Sequence, residues 1–155
     1  MGPKLPYEGG CLCGAVRYSV SRAPRTIYAC HCTDCQRGTG SAFGVSLVVD
    51  RSAVALTKGR PAPYAAQMSD GRSKQGMMCT NCGTKLWAES LRNRDFLILR
   101  PGTLDERSWV KPIAHIWTRS AHPWFRFPDD VALFDTQPAE PWKELFSLWE
   151  ERPAR

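Results

Sequence analysis

The sequence predicts a mainly β chain of many short strands, with short helical turns and one helix near its C-terminal end. Three observations carry this. Apolar and polar residues alternate over short runs, the signature of half-buried strands. Twelve glycines and twelve prolines among 155 residues favour short elements joined by turns. Seven cysteines stand in three tight clusters, a spacing that suits a metal clip better than a disulfide framework. With 43% apolar residues the chain is long enough for one domain, 1–155, with its own core.

Residues 1–8 read as a loose arm, and Gly9-Gly10-Cys11-Leu12-Cys13-Gly14 as a turn bearing two thiols. Over 14–20, Val16, Tyr18 and Val20 alternate with Ala15, Arg17 and Ser19, which predicts a half-buried strand ended near Pro24. Residues 26–29 feed Cys30-His31-Cys32-Thr33-Asp34-Cys35. Thr33-Asp34-Cys35-Gln36 fits the capping pattern Ser/Thr-x-x-Glu/Gln. No apolar run follows, so one helical turn at most is expected. Arg37-Gly38-Thr39-Gly40-Ser41 reads as a polar loop in which a substrate can approach backbone closely.

Strands are expected over 43–49 and 53–57, and as a hairpin over 64–68 and 73–78 around Ser69-Asp70-Gly71. Further strands are expected over 84–89, 95–100 and 113–118, with Pro101-Gly102 stopping the second and a turn-rich stretch over 123–128. The tail differs. Trp142, Leu145, Phe146 and Trp149 recur at helical spacing behind Pro141, which predicts an amphipathic helix over about 140–151 docked on the domain.

The cysteines divide as four and three. Cys11-x-Cys13 and Cys79-x-x-Cys82 resemble each other, since Gly14 and Gly83 follow their last thiols. Glycine permits the tight turn that brings backbone N–H groups to sulfur. Those four thiolates form a closed zinc site that turns binding energy into folding energy. Cys30, Cys32 and Cys35 remain. They suit a second zinc with one exchangeable corner, or a closed site whose fourth corner is filled by His31, His115 or His122. His31, between two ligands, reads as a supporting or surface residue, and His115 as a satisfied strand residue. A centre of three thiolates is a poor Lewis acid for making hydroxide, but it welcomes a soft substrate thiol. Coordination deprotonates such a thiol and holds it ready for a small electrophile such as an aldehyde.

Gly9-Gly10-Cys11-Leu12-Cys13-Gly14-Ala15-Val16-Arg17-Tyr18, Cys30-His31-Cys32-Thr33-Asp34-Cys35-Gln36-Arg37 and Cys79-Thr80-Asn81-Cys82-Gly83-Thr84 together resemble the glutathione-dependent formaldehyde-activating enzyme family. That family shares its domain with centromere protein V. Pro101-Gly102-Thr103-Leu104-Asp105, His115-Ile116-Trp117-Thr118 and Pro123-Trp124 are similar to its later segments, so the likeness runs over about 7–124. The resemblance implies a zinc-clipped, Mss4-like β fold, a structural zinc on Cys11, Cys13, Cys79 and Cys82, and a catalytic zinc on Cys30, Cys32 and Cys35. It also implies a carbon–sulfur lyase that joins glutathione or a similar thiol to formaldehyde. Glutathione's carboxylates would need cations, for which Arg37 leads over Arg17, Arg72 and Arg119. Thr39, Gly40 and Ser41 would add hydrogen bonds.

The alternative is a non-catalytic zinc-binding module for a protein or nucleic-acid partner, and a redox or metal sensor is a weaker third reading. The net charge is +6, but the basic residues are dispersed with no long run, so a nucleic-acid partner is not favoured. No apolar run has the length of a membrane span and no secretory h-region opens the sequence. The tight thiol clusters point to a reducing, cytoplasmic setting.

Overall fold

The computed structural model describes residues 3–153, so the two residues at each end, including the start of the expected arm, lie outside the described residues. The fold is mainly β with two α-helices, one of them C-terminal. It divides into two compact units, each assembled from two stretches of chain: residues 1–24 with 47–110, and residues 25–46 with 111–155.

In the first unit, β1 (Tyr7–Gly10), β2 (Arg17–Val20) and β5 (Val54–Lys58) form a three-stranded antiparallel sheet. The alternation in β2 is realised: Tyr18 and Val20 are buried while Arg17 and Ser19 stay half-exposed. β1 lies where the sequence suggested an arm and a turn. Its glycines reflect packing, since a Cβ on Gly9 would stand 2.6 Å from the Tyr18 ring and 2.7 Å from the Thr103 carbonyl oxygen. The remaining strands of this unit follow the order β4 (Gly44–Asp50, from Leu47 on), β9 (Phe96–Leu99), β8 (Lys85–Glu89), β7 (Ser73–Met78) and β6 (Ala62–Gln67), all antiparallel. Leu47, Leu86 and Leu99 are fully buried, and Tyr18 meets Trp87 edge-on at 6.1 Å.

In the second unit, β3 (Thr26–Cys30) pairs in parallel with β10 (Ala114–Ile116), and β10 with β11 (Ala132–Leu133). Every residue of β3 is buried, as expected of a strand covered on both faces. The chain turns after Cys30 into α1 (Thr33–Thr39), longer than the single turn expected. Gly40, in the left-handed region at φ 66°, ends it, and the Thr39 hydroxyl donates to the Cys35 carbonyl at 2.8 Å. Arg37 to Thr39 are therefore helical and not loop. The cap also differs: Cys32, not Thr33, occupies the N-cap. β11, only two residues long, carries too little pattern to be read from sequence. α2 (Pro141–Glu151) falls where the periodicity placed it, with Pro141 at its first turn and Leu145 buried against β3.

Candidate metal centres

Two like turns gather the first cluster. One lies between β1 and β2 and carries Cys11 and Cys13; the other lies between β7 and β8 and carries Cys79 and Cys82. Gly14 donates its N–H to the Cys11 carbonyl at 3.1 Å, and Gly83 to the Cys79 carbonyl at 2.8 Å. Both glycines have positive φ, 73° and 72°, the conformation the turn requires. The four sulfurs lie within 4.8 Å of one another, with Cys11 to Cys13 at 3.6 Å and Cys13 to Cys79 at 3.8 Å. A disulfide would need about 2.05 Å. Four sulfurs around zinc at about 2.3 Å stand about 3.8 Å apart along a tetrahedral edge. The donor set fits such an ion.

The surroundings favour thiolate at Cys11 and Cys82, whereas at Cys79 the Cys82 backbone N–H is outweighed by burial and the Cys11 and Cys82 thiols, which push the thiol up to about 11. The Val16 N–H donates to Cys11 Sγ at 3.2 Å and Asn81 Nδ2 to Cys13 Sγ at 3.1 Å. Burial pushes the Cys11 thiol up, but the Val16 N–H and the Cys13 thiol outweigh it and leave Cys11 below its ordinary value. Hydrogen bonds from the Thr84 hydroxyl and backbone N–H pull Cys82 down to about 6.

The second cluster comes from one short run. β3 delivers Cys30, Cys32 caps α1, and Cys35 lies in its first turn. The Cys35 N–H donates to Cys32 Sγ at 3.3 Å, a backbone contact directed at sulfur through the cap that Cys32 takes in place of Thr33. The three sulfurs lie within 4.8 Å of one another and can hold a metal ion. Among the described residues no fourth His, Cys, Asp or Glu joins them. The thiol contacts from Cys30 and Cys35 hold Cys32 below its ordinary value, while the Cys32 and Cys35 thiols and burial push Cys30 up.

The histidines are occupied elsewhere. His31 is fully buried, and its Nε2 lies 2.8 Å from Nδ1 of His115. Phe43, Phe125 and Phe127 surround both rings at centroid distances of 5.0 to 6.3 Å. His31 is thus a supporting residue and not a surface one. Burial, with the His122 imidazole, holds His31 below its ordinary value; burial, with His31, pushes His115 down to about 4. His122 is exposed and stacks on Trp124 at 5.8 Å. Gln36, read from sequence only as half of a capping box, donates its amide to the His31 carbonyl at 2.8 Å and to the Ser120 carbonyl at 2.9 Å. Trp117, which follows the Cys30 partner Ile116, is the non-glycine residue with positive φ, 59°, among the described residues. Nothing in a single sequence announces either role.

The candidate cations separate. In the first unit Arg17 pairs with Asp105, at 2.9 Å for one of two bonds, and Arg72 with Asp70. In the second, Arg119 lies over the Trp117 ring at 5.0 Å, and Arg37 is exposed in the last turn of α1. Thr39 and Gly40 complete that helix end, and the Ser41 N–H donates to the Thr39 hydroxyl at 3.3 Å.

The model of the glutathione-dependent formaldehyde-activating enzyme family matches residues 6–120, a span that contains all seven cysteines. The chain belongs to this family. Among solved structures, a protein of Rhodobacter sphaeroides with a crystal structure is similar in fold, with a TM-score of 0.50 and 19% identity over 63% of this chain and 87% of that one. No curated protein matches the sequence. Membership of the formaldehyde-activating family agrees with the two thiol clusters, and no helix among the described residues is long and apolar enough to cross a membrane.

Proposed function

We propose that the chain is a zinc-dependent enzyme of the carbon–sulfur lyase type that joins a small thiol, glutathione or a close relative, to formaldehyde or another small aldehyde. The observation that carries this reading is the three-sulfur cluster without a fourth protein ligand among the described residues, beside histidines committed to each other. Cys11, Cys13, Cys79 and Cys82 hold the structural zinc, and Cys30, Cys32 and Cys35 the catalytic one. Cys30, Cys32 and Cys35 would hold a zinc ion that, when bound, would supply a soft Lewis acid favouring the thiolate form of a substrate thiol.

In the net reaction the thiol sulfur forms a bond to the aldehyde carbon, the carbonyl π bond breaks, and the thiol proton ends on the former carbonyl oxygen. The protein's part is placement. β3, the Cys32 cap and the Gln36 amide fix the thiolates, so little reorganisation is left to substrate binding. Arg37, exposed one residue beyond Gln36, binds a substrate carboxylate, and the helix end of Thr39, Gly40 and Ser41 frames it. The reading takes 1–155 as one functional domain in a reducing cytoplasm.

The first test is zinc per chain in protein purified without added metal or chelator. Two are expected; one would leave the second cluster without its role. The second test is exchange of a thiol–aldehyde adduct at equilibrium. Wild type should exceed the uncatalysed rate, and Cys32→Ser should return to it. Equal rates for the two proteins would sink the proposal.

A further inference from the structure

The His31–His115 pair takes no part in the binding described above, yet it is among the most enclosed polar features of the second unit. Register explains how the rings meet. β10 runs parallel to β3 with His115 beside Ala29, two residues before His31, so the two imidazoles meet diagonally. The His31 peptide is held as well: its N–H donates to the Ile116 carbonyl at 3.0 Å and its carbonyl accepts from Gln36. Residue 31 is therefore tied at its N–H, its carbonyl and its ring. The imidazole bond engages His31 Nε2, while Nδ1 is buried with no partner among the described residues.

We infer that the His31–His115 pair is a positioning unit for the Cys30, Cys32 and Cys35 thiolates, fixing the peptide between the first two so that the three sulfurs stay gathered around one point. The inference rests on the reading of that cluster as a metal site. It assigns the pair no contact with substrate. Outer-sphere groups that orient metal ligands commonly change affinity about ten- to a hundredfold when lost.

The experiment is cobalt(II) loading of the full chain, followed by thiolate-to-cobalt absorption and by competition with a chelator. The cluster of Cys11, Cys13, Cys79 and Cys82 lies in the other unit and serves as an internal control. His31→Phe/His115→Phe removes both polar partners together and keeps two rings in the aromatic wall, which avoids leaving one imidazole orphaned. It should keep one tightly held cobalt and bind the second at least about tenfold more weakly, with an altered spectrum. His115→Gln, whose amide can still bond His31 Nε2, should restore most of the second affinity. Two cobalt ions with wild-type spectrum and affinity in the double variant would overturn the inference, as would failure of His115→Gln to rescue in a protein that keeps the first metal. Should the double variant not fold, the His115→Gln comparison with His115→Phe decides by the same readings. Uptake of one metal by wild type overturns the inference outright. Two metals without adduct exchange sinks the enzymatic reading alone.

Discussion

The two thiol clusters use the same ligand and gather it in opposite ways. The first joins turns far apart in sequence, with Cys13 and Cys79 separated by 66 positions. The second is a six-residue run that ends a strand and caps a helix. A metal in the first cross-links tertiary structure, so its binding free energy is folding free energy. A metal in the second finds its ligands already gathered by local hydrogen bonds, and its loss should leave the fold standing. The difference predicts unequal contributions of the two clusters to stability.

The largest test of that contrast is a pair of substitutions. Cys79→Ser should cost several kcal/mol and lower Tm by more than about 10 °C, whereas Cys32→Ser should move Tm by no more than about 3 °C. Equal losses in thermal unfolding would erase the distinction. Next in size is acid sensitivity in the second unit. The folded state holds His115 near 4, below the ordinary value for a free histidine near 6.5, so between these values the unfolded chain binds a proton that the folded chain refuses. That stabilisation is present above pH 6.5 and is lost as pH falls toward 4, up to about 3 kcal/mol. Stability measured against pH should fall less steeply in this window for His115→Gln than for wild type; parallel curves would contradict the assignment.

Smaller still, Gly83→Ala places a side chain at φ 72° in open space, so it should cost only the backbone strain, about 1 kcal/mol, and should loosen the first metal without touching the second. Smallest is the Arg17 to Asp105 surface pair. Arg17→Ala should change stability by less than about 1 kcal/mol and leave KM alone, while Arg37→Ala should raise KM for a carboxylate-bearing thiol about tenfold. A KM response from Arg17→Ala instead would move the carboxylate site to the other unit.

Much of this was legible in the sequence, and the reasons are local. Thiol spacing is a short-range signal, so the four-and-three division needed no tertiary knowledge. The Tyr18 strand and the Leu145 helix announced themselves through period, because each buries one face. Most of what failed to show comes from contacts with distant chain, the helix cap being a local exception. Gly9 looks like a turn residue until Tyr18 and Thr103 are seen to need the space. Thr33 looks like a cap until the Cys32 sulfur is found accepting the Cys35 N–H. Gln36 looks like half of a capping box until its amide is found between two carbonyls, one of them 84 positions away. His31 and His115, equally far apart, carry no mutual signal at all.

The interleaved build of the two units sets an order on synthesis. Residues 25–46 leave the ribosome well before residues 111–155, with which they form one unit. Roughly 75 residues separate Cys35 from the start of that second stretch, about 4–15 s of elongation at 5–20 residues per second. Throughout that interval the nascent chain carries three neighbouring thiols before the β10 strand and its histidine have been made. Residue 110, the last of the first unit, is likewise made before that second stretch begins. Synthesis is therefore sequential: Cys11, Cys13, Cys79 and Cys82 are all made before the chain that completes the second unit. A chain stalled before residue 111 would present Cys30, Cys32 and Cys35 without β10 and His115 beside them.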